Sequence, residues 1–320
     1  MISRKKFLKA VGAGLVAPRL LLAQEEQRRP SFRRMIFGDH PVDPAPARPE
    51  PLSWDDSTIT AAWIGHATVL INFFGTRIIT DPVFSERIGV NVLGAFTLGP
   101  KRLVTPALTL DQIPPIDLIL LSHAHMDHMD FPTLRRFKKT IPVVMAKNTS
   151  DLLIDRGWQQ IQELDWGKRT TVSGVTIEAL RVNHFGWRFP WEKDRSHGYW
   201  NGRSYNAYLI SKNDKHIVFG GDSAYQEYYK MLAERNISIE LAMLAVGAYD
   251  PWIRVHANPE QAVAMANHMN AKSILPIHWG TFTLSSEPPH EPIERLKKAV
   301  AEHSPQLALE NIGETWRMRG

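Results

Sequence analysis

Short apolar runs bounded by turn-forming residues recur along most of the chain, and their spacing predicts a protein rich in β-sheet. Residues 59–63 and 69–73 are two such runs, and residues 118–121 form a third that is apolar throughout. Runs of this length are typical of buried strands. The same pattern predicts further strands at residues 77–80, 142–146, 169–172, 175–182, 204–210, 215–219, 241–246 and 273–276.

Turn residues and helix caps complete this picture. Ser173-Gly174 and Asn213-Asp214 separate neighbouring strands and predict antiparallel hairpins. Asn258, which a proline follows, is expected to cap a helix. Hairpins followed by strand–helix alternation, twice over, predict an α/β (α+β) fold with two mixed sheets and helices outside them. Helices are predicted at residues 130–138, 149–156, 224–234, 258–269 and 292–303.

Three histidines and an aspartate stand directly after the apolar run at residues 118–121. They are His123, His125, Asp127 and His128. Neutral imidazoles and carboxylates are the ligands that borderline divalent metal ions prefer. At helical spacing so many side chains would not face one point, whereas a tight loop that leaves a strand can wrap them around an ion. The segment therefore predicts a site for one or two metal ions.

Candidate ligands also follow other predicted strands. His184, Asp222 and His278 each come just after the end of a strand. In open α/β sheets the carboxyl ends of the strands converge on one crevice. We therefore expect these three side chains to join the first four in a two-metal site.

These residues resemble the metallo-β-lactamase superfamily, whose motif is matched by His123-x-His125-x-Asp127-His128. Neighbouring segments narrow the resemblance to the branch of the N-acyl-phosphatidylethanolamine phospholipases D. The resemblance covers about residues 50–290. The segments that carry it are WIGHAT at 63–68, TDPVFS at 80–85, GPKR at 99–102, GDSAY at 221–225, NPEQA at 258–262 and IHWGTF at 277–282.

The resemblance implies the four-layer αβ/βα sandwich of that superfamily, with a pair of metal ions at one edge of the sheets. Two zinc ions suit imidazole and carboxylate ligands best. Iron and manganese remain open, because ligand type alone rarely decides the metal. The family pattern implies His123, His125 and His184 for one ion, Asp127, His128 and His278 for the other, and Asp222 as the bridge.

The same resemblance implies a dinuclear hydrolase that cleaves a phosphodiester by means of a hydroxide shared between its metal ions. The reaction it favours is phospholipase D-type cleavage of N-acyl phosphatidylethanolamine or a related lipid, so the expected partner is a phospholipid or another phosphodiester. A lactone, carboxylic ester or amide hydrolase on the same scaffold is the alternative. A non-catalytic metal- or lipid-binding periplasmic protein is a third hypothesis, although no ligand is missing from the motif.

Further residues near the motifs have expected roles. Asp127 would orient the hydroxide as well as bind metal. His256 matches a histidine that the branch places beside the metals, and it would protonate the leaving group or bind phosphate. His66 and Asp81 follow strands and are expected to orient the ligands. Aromatic side chains expected to line a pocket for an apolar group are Trp187, Trp200, Tyr249 and Trp279.

The net charge of +5 is confined to the start of the chain. Residues 1–50 contain ten basic and five acidic residues, and the remaining residues hold the other 28 of each. A nucleic-acid-binding surface needs an excess of cationic side chains, so we expect no nucleic-acid partner. The sequence leaves open whether the protein forms a homodimer.

The N-terminus is similar to an export signal. Residues 1–23 combine a basic start, a small apolar stretch and a segment suited to cleavage. Residues 3–9 resemble a twin-arginine signal in which lysine replaces the second arginine. An uncleaved amphipathic membrane anchor is the alternative. We therefore expect a periplasmic or exported protein, either free or membrane-associated, and the absence of cysteine is compatible with an oxidising compartment.

The rest of the chain is divided by composition and by the motifs. Residues 24–50 are rich in proline and arginine and predict an arm, which is either solvated or in peripheral contact with anionic lipid. Residues 51–320 are predicted to form the hydrolase domain, because the ligand motifs run from residue 123 to residue 278 and a division between them would split the site. The apolar stretch at residues 88–98 either folds into the core or admits acyl chains.

Overall fold

Two large mixed sheets form within residues 37–92, 96–302 and 305–319, which the computed structural model describes. The helices, in chain order, are α1 (Phe131–Leu134), α2 (Asp151–Ile154), α3 (Lys230–Glu234), α4 (Pro259–His268) and α5 (Glu291–Glu302). The strands are β1 (Ile59–Gly65), β2 (Thr68–Phe73), β3 (Thr76–Thr80), β4 (Val90–Val92), β5 (Phe96–Leu98), β6 (Leu118–Leu121), β7 (Val143–Ala146), β8 (Ile161–Leu164), β9 (Arg169–Val172), β10 (Val175–Leu180), β11 (Ala207–Lys212), β12 (Lys215–Phe219), β13 (Ile239–Ala245), β14 (Ser273–Ile277), β15 (Gln306–Leu307) and β16 (Thr315–Arg317).

The two sheets share one plan, with an antiparallel half and a parallel half. In the first sheet, of order β16-β1-β2-β3-β6-β7-β8, the strands up to β3 pair antiparallel and those from β3 onward pair parallel. The second sheet has its strands in chain order, from β9 to β15. Neighbouring strands from β9 to β12 pair antiparallel, and neighbouring strands from β12 to β15 pair parallel. Within each sheet, the loops that follow the parallel strands therefore all begin at the same edge.

The main core lies between the sheets. It joins Ile71 and Leu120 of the first sheet to Ile210 and Val218 of the second in a single cluster of buried apolar side chains. Every residue of β1, β2, β6, β13 and β14 is buried. Strands covered on both faces have apolar residues on both faces, which explains the continuous apolar runs in the sequence.

Helices cover the outer faces of the sheets. Leu134 of α1 and Leu153 of α2 pack with Ile119 and Met145 of the first sheet. On the other side, α4 packs Ala262 and neighbouring apolar side chains against the second sheet, in apolar contact that is continuous with the main core. The order of layers is thus helix, sheet, sheet, helix, and the predicted α/β four-layer sandwich is confirmed.

Most predicted strands are present, but several helices are shorter than predicted. The helix expected at residues 224–234 is α3, which begins only at Lys230, because the preceding residues are tied to other loops. The backbone N–H of Ala224 donates to Asn183 O at 2.8 Å, for example. The helices expected at 130–138 and 149–156 are the four-residue helices α1 and α2. The predicted cap at Asn258 is present, with Gln261 N donating to its Oδ1 at 2.9 Å.

The apolar stretch at residues 88–98 folds into the core only in part, and access of acyl chains to it stays a prediction. Ile88 packs into a small cluster with Val83 and Phe282, whereas the hairpin of β4 and β5 exposes 46% of Val90 and 56% of Phe96.

The described part of the arm lies along the surface, where Asp43 N donates to Leu103 O at 2.8 Å and Ala47 N donates to Ile312 O at 3.2 Å. The predicted export signal at 1–23 and the arm up to residue 36 lie outside the described residues, and the domain boundaries stay predictions. Among the described helices, none has both the length and the apolar character needed to cross a bilayer.

Candidate metal centre

The loops that leave several strands meet at one edge of the sheets. His123, His125, Asp127 and His128 lie on the loop between β6 and α1. The other three candidate ligands follow strands of the second sheet, with His184 after β10, Asp222 after β12 and His278 after β14. The structure therefore brings all seven side chains together, although 155 positions separate the first from the last.

The side chains form two groups of potential metal ligands. Within each group, one donor atom per residue lies within 4.8 Å of every other. The groups are His123, His125, His184 and Asp222 on one side, and His66, Asp127, His128 and His278 on the other.

Asp222 lies between the two groups. Its Oδ2 atom is 3.1 Å from Nε2 of His128 and 3.1 Å from Nε2 of His278, both in the second group. The same oxygen is 3.8 Å from Nε2 of His184 in the first group. Asp127 is central to the second group, with its Oδ2 3.3 Å from Nε2 of His278.

Several donor atoms in this cluster are buried without a hydrogen bond. They include Nε2 of His125, Oδ1 of Asp222 and Nδ1 of His256. A buried polar atom that makes no hydrogen bond costs about 1–3 kcal/mol, so such atoms need an explanation. Imidazole and carboxylate donors directed at shared points fit a pair of divalent cations.

Asp81 fixes the orientation of two of the histidines. Nδ1 of His128 donates to Asp81 Oδ2 at 2.7 Å, so Nε2 is the atom of His128 that faces the other ligands. Despite burial, Asp222 and Asp127 raise the pKa of His128 well above its usual range, so a metal ion must displace a proton from Nε2. Ser122 Oγ also donates to Asp81 Oδ2, at 2.5 Å, and accepts a hydrogen bond from Nδ1 of His123 at 2.8 Å. Asp81 thus holds His128 directly and His123 through Ser122.

His184 is oriented by the backbone. Its Nδ1 donates to the carbonyl oxygen of Val255 at 2.8 Å, and a carbonyl oxygen can only accept. Nε2 of His184 is therefore unprotonated in the neutral ring and points toward Asp222.

The charges of the cluster suit metal binding. Burial, with a further contribution from neighbouring histidines, holds the pKa of His123 and that of His125 well below the usual range, so both rings are neutral. Despite burial, the histidines hold the pKa of Asp222 well below its usual range. Burial opposes protonation of His278 as well, but Asp222 and Asp127 outweigh it and raise the pKa of His278 to about 9. A metal ion must therefore displace a proton from His278.

His66 and His256 both lie against the candidate ligands, at distances that the sequence could not give. Nε2 of His66 is 3.0 Å from Asp127 Oδ2, so this ring contacts a candidate ligand directly. His256 lies on the rim, with Nδ1 3.8 Å from Asp222 Oδ2 and its ring stacked on that of His278 at 5.2 Å. The roles of both residues stay predictions.

The four predicted pocket aromatics occupy different environments. The ring centroid of Trp187 is 6.0 Å from that of His125, and Trp200 is 82% exposed and lines a cavity that reaches His184. Trp279 packs on Trp63 with a centroid distance of 5.2 Å. The Tyr249 hydroxyl donates to Glu291 at 2.7 Å. Trp279 and Tyr249 are buried, and substrate contact by all four remains a prediction.

Sequence reasoning missed two residues that hold the ligand loop. Ser122 is one, and its position between an apolar strand and His123 was the available signal. The other is Arg188, which is buried and donates from Nη1 to the carbonyl oxygens of Ala124 and Met129, both at 2.9 Å. Nothing in the local sequence marks Arg188, because its partners lie about 60 residues earlier.

Comparison with known proteins identifies the family. The family model described as a beta-lactamase superfamily domain matches residues 76–279. The chain belongs to this superfamily. It is a metal-dependent hydrolase, as the sequence predicted.

Relatives of this hydrolase include members of the predicted branch. N-acyl-phosphatidylethanolamine-hydrolyzing phospholipase D 1 of Caenorhabditis elegans is 29% identical over 77% of this chain and 70% of the relative. The mitochondrial N-acyl-phosphatidylethanolamine-hydrolyzing phospholipase D of Saccharomyces cerevisiae is 30% identical over 73% of this chain and 50% of the relative. An uncharacterized protein of Mycobacterium tuberculosis is 31% identical over 81% of this chain and 69% of its own length. The resemblance to the phospholipase D branch is thus confirmed.

Solved structures share the fold of the hydrolase. Igni18, a metallo hydrolase from Ignicoccus hospitalis, aligns with a TM-score of 0.59 and 18% identity over 82% of this chain and 99% of that chain. CmlA, a diiron β-hydroxylase from Streptomyces venezuelae, aligns with a TM-score of 0.58 and 18% identity over 82% of this chain and 54% of that chain. Because a diiron protein has the same fold, the fold does not select the metal.

Proposed function

We propose that this hydrolase cleaves a phosphodiester, and that its reaction is phospholipase D-type cleavage of an N-acyl phosphatidylethanolamine or a related lipid. The observation that carries the proposal is the cluster of seven candidate ligands, in which six surround Asp222. The two relatives from worm and yeast, whose names state this reaction, support the choice of substrate.

The donor set supports a pair of divalent cations, and we propose zinc because imidazole and carboxylate ligands suit it. In this proposal three histidines would hold one ion, two histidines and Asp127 would hold the other, and Asp222 would contribute to both. Asp222 suits the bridge because its Oδ2 lies within 4 Å of histidine nitrogens from both groups. The histidines are His123, His125 and His184 for the first ion, and His128 and His278 for the second.

A pair of divalent cations supplies Lewis acidity and a nucleophile from water at neutral pH. The residues of the chain position the reactants. Asp127, 16% exposed, is the carboxylate of the cluster nearest to solvent and would orient the attacking water. His256 has a buried Nδ1 without a hydrogen bond beside Asp222. Burial lowers the pKa of His256 to about 3, so its ring is neutral at pH 7 and would hydrogen-bond a phosphate oxygen rather than protonate the leaving group.

The exposed hairpin of β4 and β5 supports a lipid substrate. Phe37, Val90 and Phe96 are exposed apolar side chains on or near this hairpin, where Gly38 O accepts from Arg87. The hairpin is connected to the cluster by Phe282, which packs on Ile88 and meets the ring of His66 edge-on at 5.3 Å. We propose that acyl chains approach from this side. Export to the periplasm is a further part of the proposal, and cell fractionation of the full chain tests it.

The test is turnover by metal-loaded protein. We expect release of phosphatidic acid from N-acyl phosphatidylethanolamine in mixed micelles and hydrolysis of bis(4-nitrophenyl) phosphate, both lost after treatment with a chelator. His125→Ala should abolish both activities, whereas His290→Ala, at an exposed position, should leave them unchanged. Hydrolysis of 4-nitrophenyl acetate without any phosphodiester turnover would refute the proposal and select the ester hydrolase.

A further inference from the structure

A cavity of about 440 Å³ lies beside the candidate metal centre and is shared with it through His184. Arg181 and Trp166 line this cavity, as do Arg195 and Tyr228. Because His184 belongs to both sets of residues, a ligand in the cavity lies next to the candidate metal centre.

Aromatic side chains hold two guanidinium groups at this cavity. The guanidinium carbon of Arg195 lies 3.7 Å from the ring centroid of Trp166, and that of Arg181 lies 5.2 Å from the same centroid. Arg181 also lies 4.3 Å from the ring centroid of Tyr228. Stacking on an aromatic face orients a guanidinium while leaving its N–H groups free to donate.

The two arginines differ in their carboxylate partners. Arg195 pairs with Asp165, which also accepts from Lys147 at 3.0 Å. No carboxylate of the described residues forms an ion pair or a hydrogen bond with Arg181. Asp194, the residue before Arg195, is buried and accepts hydrogen bonds from three backbone N–H groups. The groups named here carry three positive and two negative charges, so the cavity has an excess positive charge at Arg181.

We propose that this cavity binds an anionic group on the part of the substrate that does not react, and that Arg181 is a specificity-determining residue. The anionic group is a carboxylate or a phosphate, whose planar or tetrahedral oxygens match the donors of a guanidinium. The inference rests on the proposed function and narrows it to a related lipid with a second anionic group, since N-acyl phosphatidylethanolamine carries only its phosphodiester charge. The phosphodiester would occupy the metal centre and the second anionic group the cavity.

Two matched substrates test this inference on metal-loaded protein. 4-Nitrophenyl 4-carboxyphenyl phosphate carries the second negative charge, and 4-nitrophenyl 4-carbamoylphenyl phosphate is its neutral analogue of nearly equal shape. We expect the wild type to show a KM about 10-fold lower for the carboxylate, as expected for one hydrogen bond to a charged group at an exposed site. Arg181→Gln should remove this difference and leave kcat unchanged.

Conservative and remote variants sharpen the test. Arg181→Lys, which keeps the charge but not the planar donors, should retain only part of the preference. Arg319→Gln, at an exposed position beside β15 and β16, should retain all of it. An equal preference in Arg181→Gln and the wild type would overturn the inference.

Equilibrium binding separates this inference from the proposed function. Inorganic phosphate and benzoate are titrated calorimetrically into the metal-loaded wild type, Arg181→Gln and Arg319→Gln. If a ligand binds more weakly to Arg181→Gln but not to Arg319→Gln, the result supports anion binding in the cavity. Whether that ligand is phosphate or benzoate shows which kind of anion the cavity prefers. If this result accompanies no phosphodiester turnover, the proposed reaction fails and the anion site stands. If Arg181→Gln binds both ligands as the wild type does, the inference fails whether or not phosphodiesters are cleaved.

Discussion

Replacing Asp81 by asparagine should impair metal binding without removing any proposed ligand. In the wild type, Asp81 Oδ2 accepts from Nδ1 of His128 at 2.7 Å and from Oγ of Ser122 at 2.5 Å. Oδ1 accepts from the backbone N–H of Ser122 at 2.7 Å. In Asp81→Asn the side-chain oxygen keeps the backbone hydrogen bond, and the amide NH₂ then faces the N–H of His128.

Two donors cannot share a hydrogen bond, so His128 must change its tautomer or rotate. With the proton on Nε2, the ring no longer presents a lone pair to the metal. The hydroxyl of Ser122 loses its acceptor as well. Because this hydroxyl accepts from His123, the orientation of His123 is then no longer fixed. Losing such an orienting carboxylate typically lowers metal affinity or activity 10–100-fold, which corresponds to about 1.4–2.7 kcal/mol.

Metal stoichiometry and affinity give the measurement. We expect Asp81→Asn to bind zinc about 10–100-fold more weakly than the wild type in competition with a chromophoric chelator. Asp111→Asn is the matched control, because Asp111 is exposed and pairs with the surface residue Arg136 at 2.9 Å. If Asp81→Asn bound two zinc ions with the wild-type affinity, the tautomer argument would be wrong.

Four further predictions concern the same region. Gly221→Ala should lower the free energy of unfolding by about 1–3 kcal/mol, measured by urea denaturation, because φ is +54° and a Cβ atom would lie 2.7 Å from Cβ of Ser122; an unchanged midpoint would contradict this. Zinc affinity should increase as pH is raised from 6 toward 9, because the metal must displace the proton that His278, with a pKa of about 9, holds below that pH; a flat profile by calorimetry would count against it. Arg188→Met should destabilise the protein by about 1–3 kcal/mol and weaken zinc binding, since two buried loop carbonyls lose their donor; wild-type values for both would exclude this role. Phe96→Ser should reduce co-sedimentation with phospholipid vesicles while hydrolysis of bis(4-nitrophenyl) phosphate is unchanged, and undiminished co-sedimentation would argue against the proposed lipid side.

Backbone conformation at the centre shows where sequence reasoning reaches its limit. His66, Asp81 and His278 have left-handed backbone, with φ values of 53°, 30° and 63°. Such conformations are unfavourable for residues other than glycine and persist only where surrounding contacts impose them. Those contacts are distant in sequence, as when His66 N donates to Oγ1 of Thr281, 215 positions away, at 2.8 Å.

The sequence did not predict the short strands at the sheet edges. Strands β8, β15 and β16 contain two to four residues, and none of them has a long apolar run. β16, for example, is a strand because Ala61 of β1 pairs with Trp316. A segment of this length has no periodicity to detect, and its conformation depends on the partner strand.

The sequence by itself determined the central strands, because a strand buried on both faces is a continuous apolar run. It also determined the type of each candidate ligand and the family, because each ligand stands shortly after such a run. Only the tertiary structure decided how the ligands are aimed. The contacts of Asp81 with Ser122 and His128, of His184 with Val255 and of Arg188 with the ligand loop each join segments far apart in the chain. Hydrogen-bond direction and tautomer depend on which groups meet in space, and no local pattern of residues specifies that.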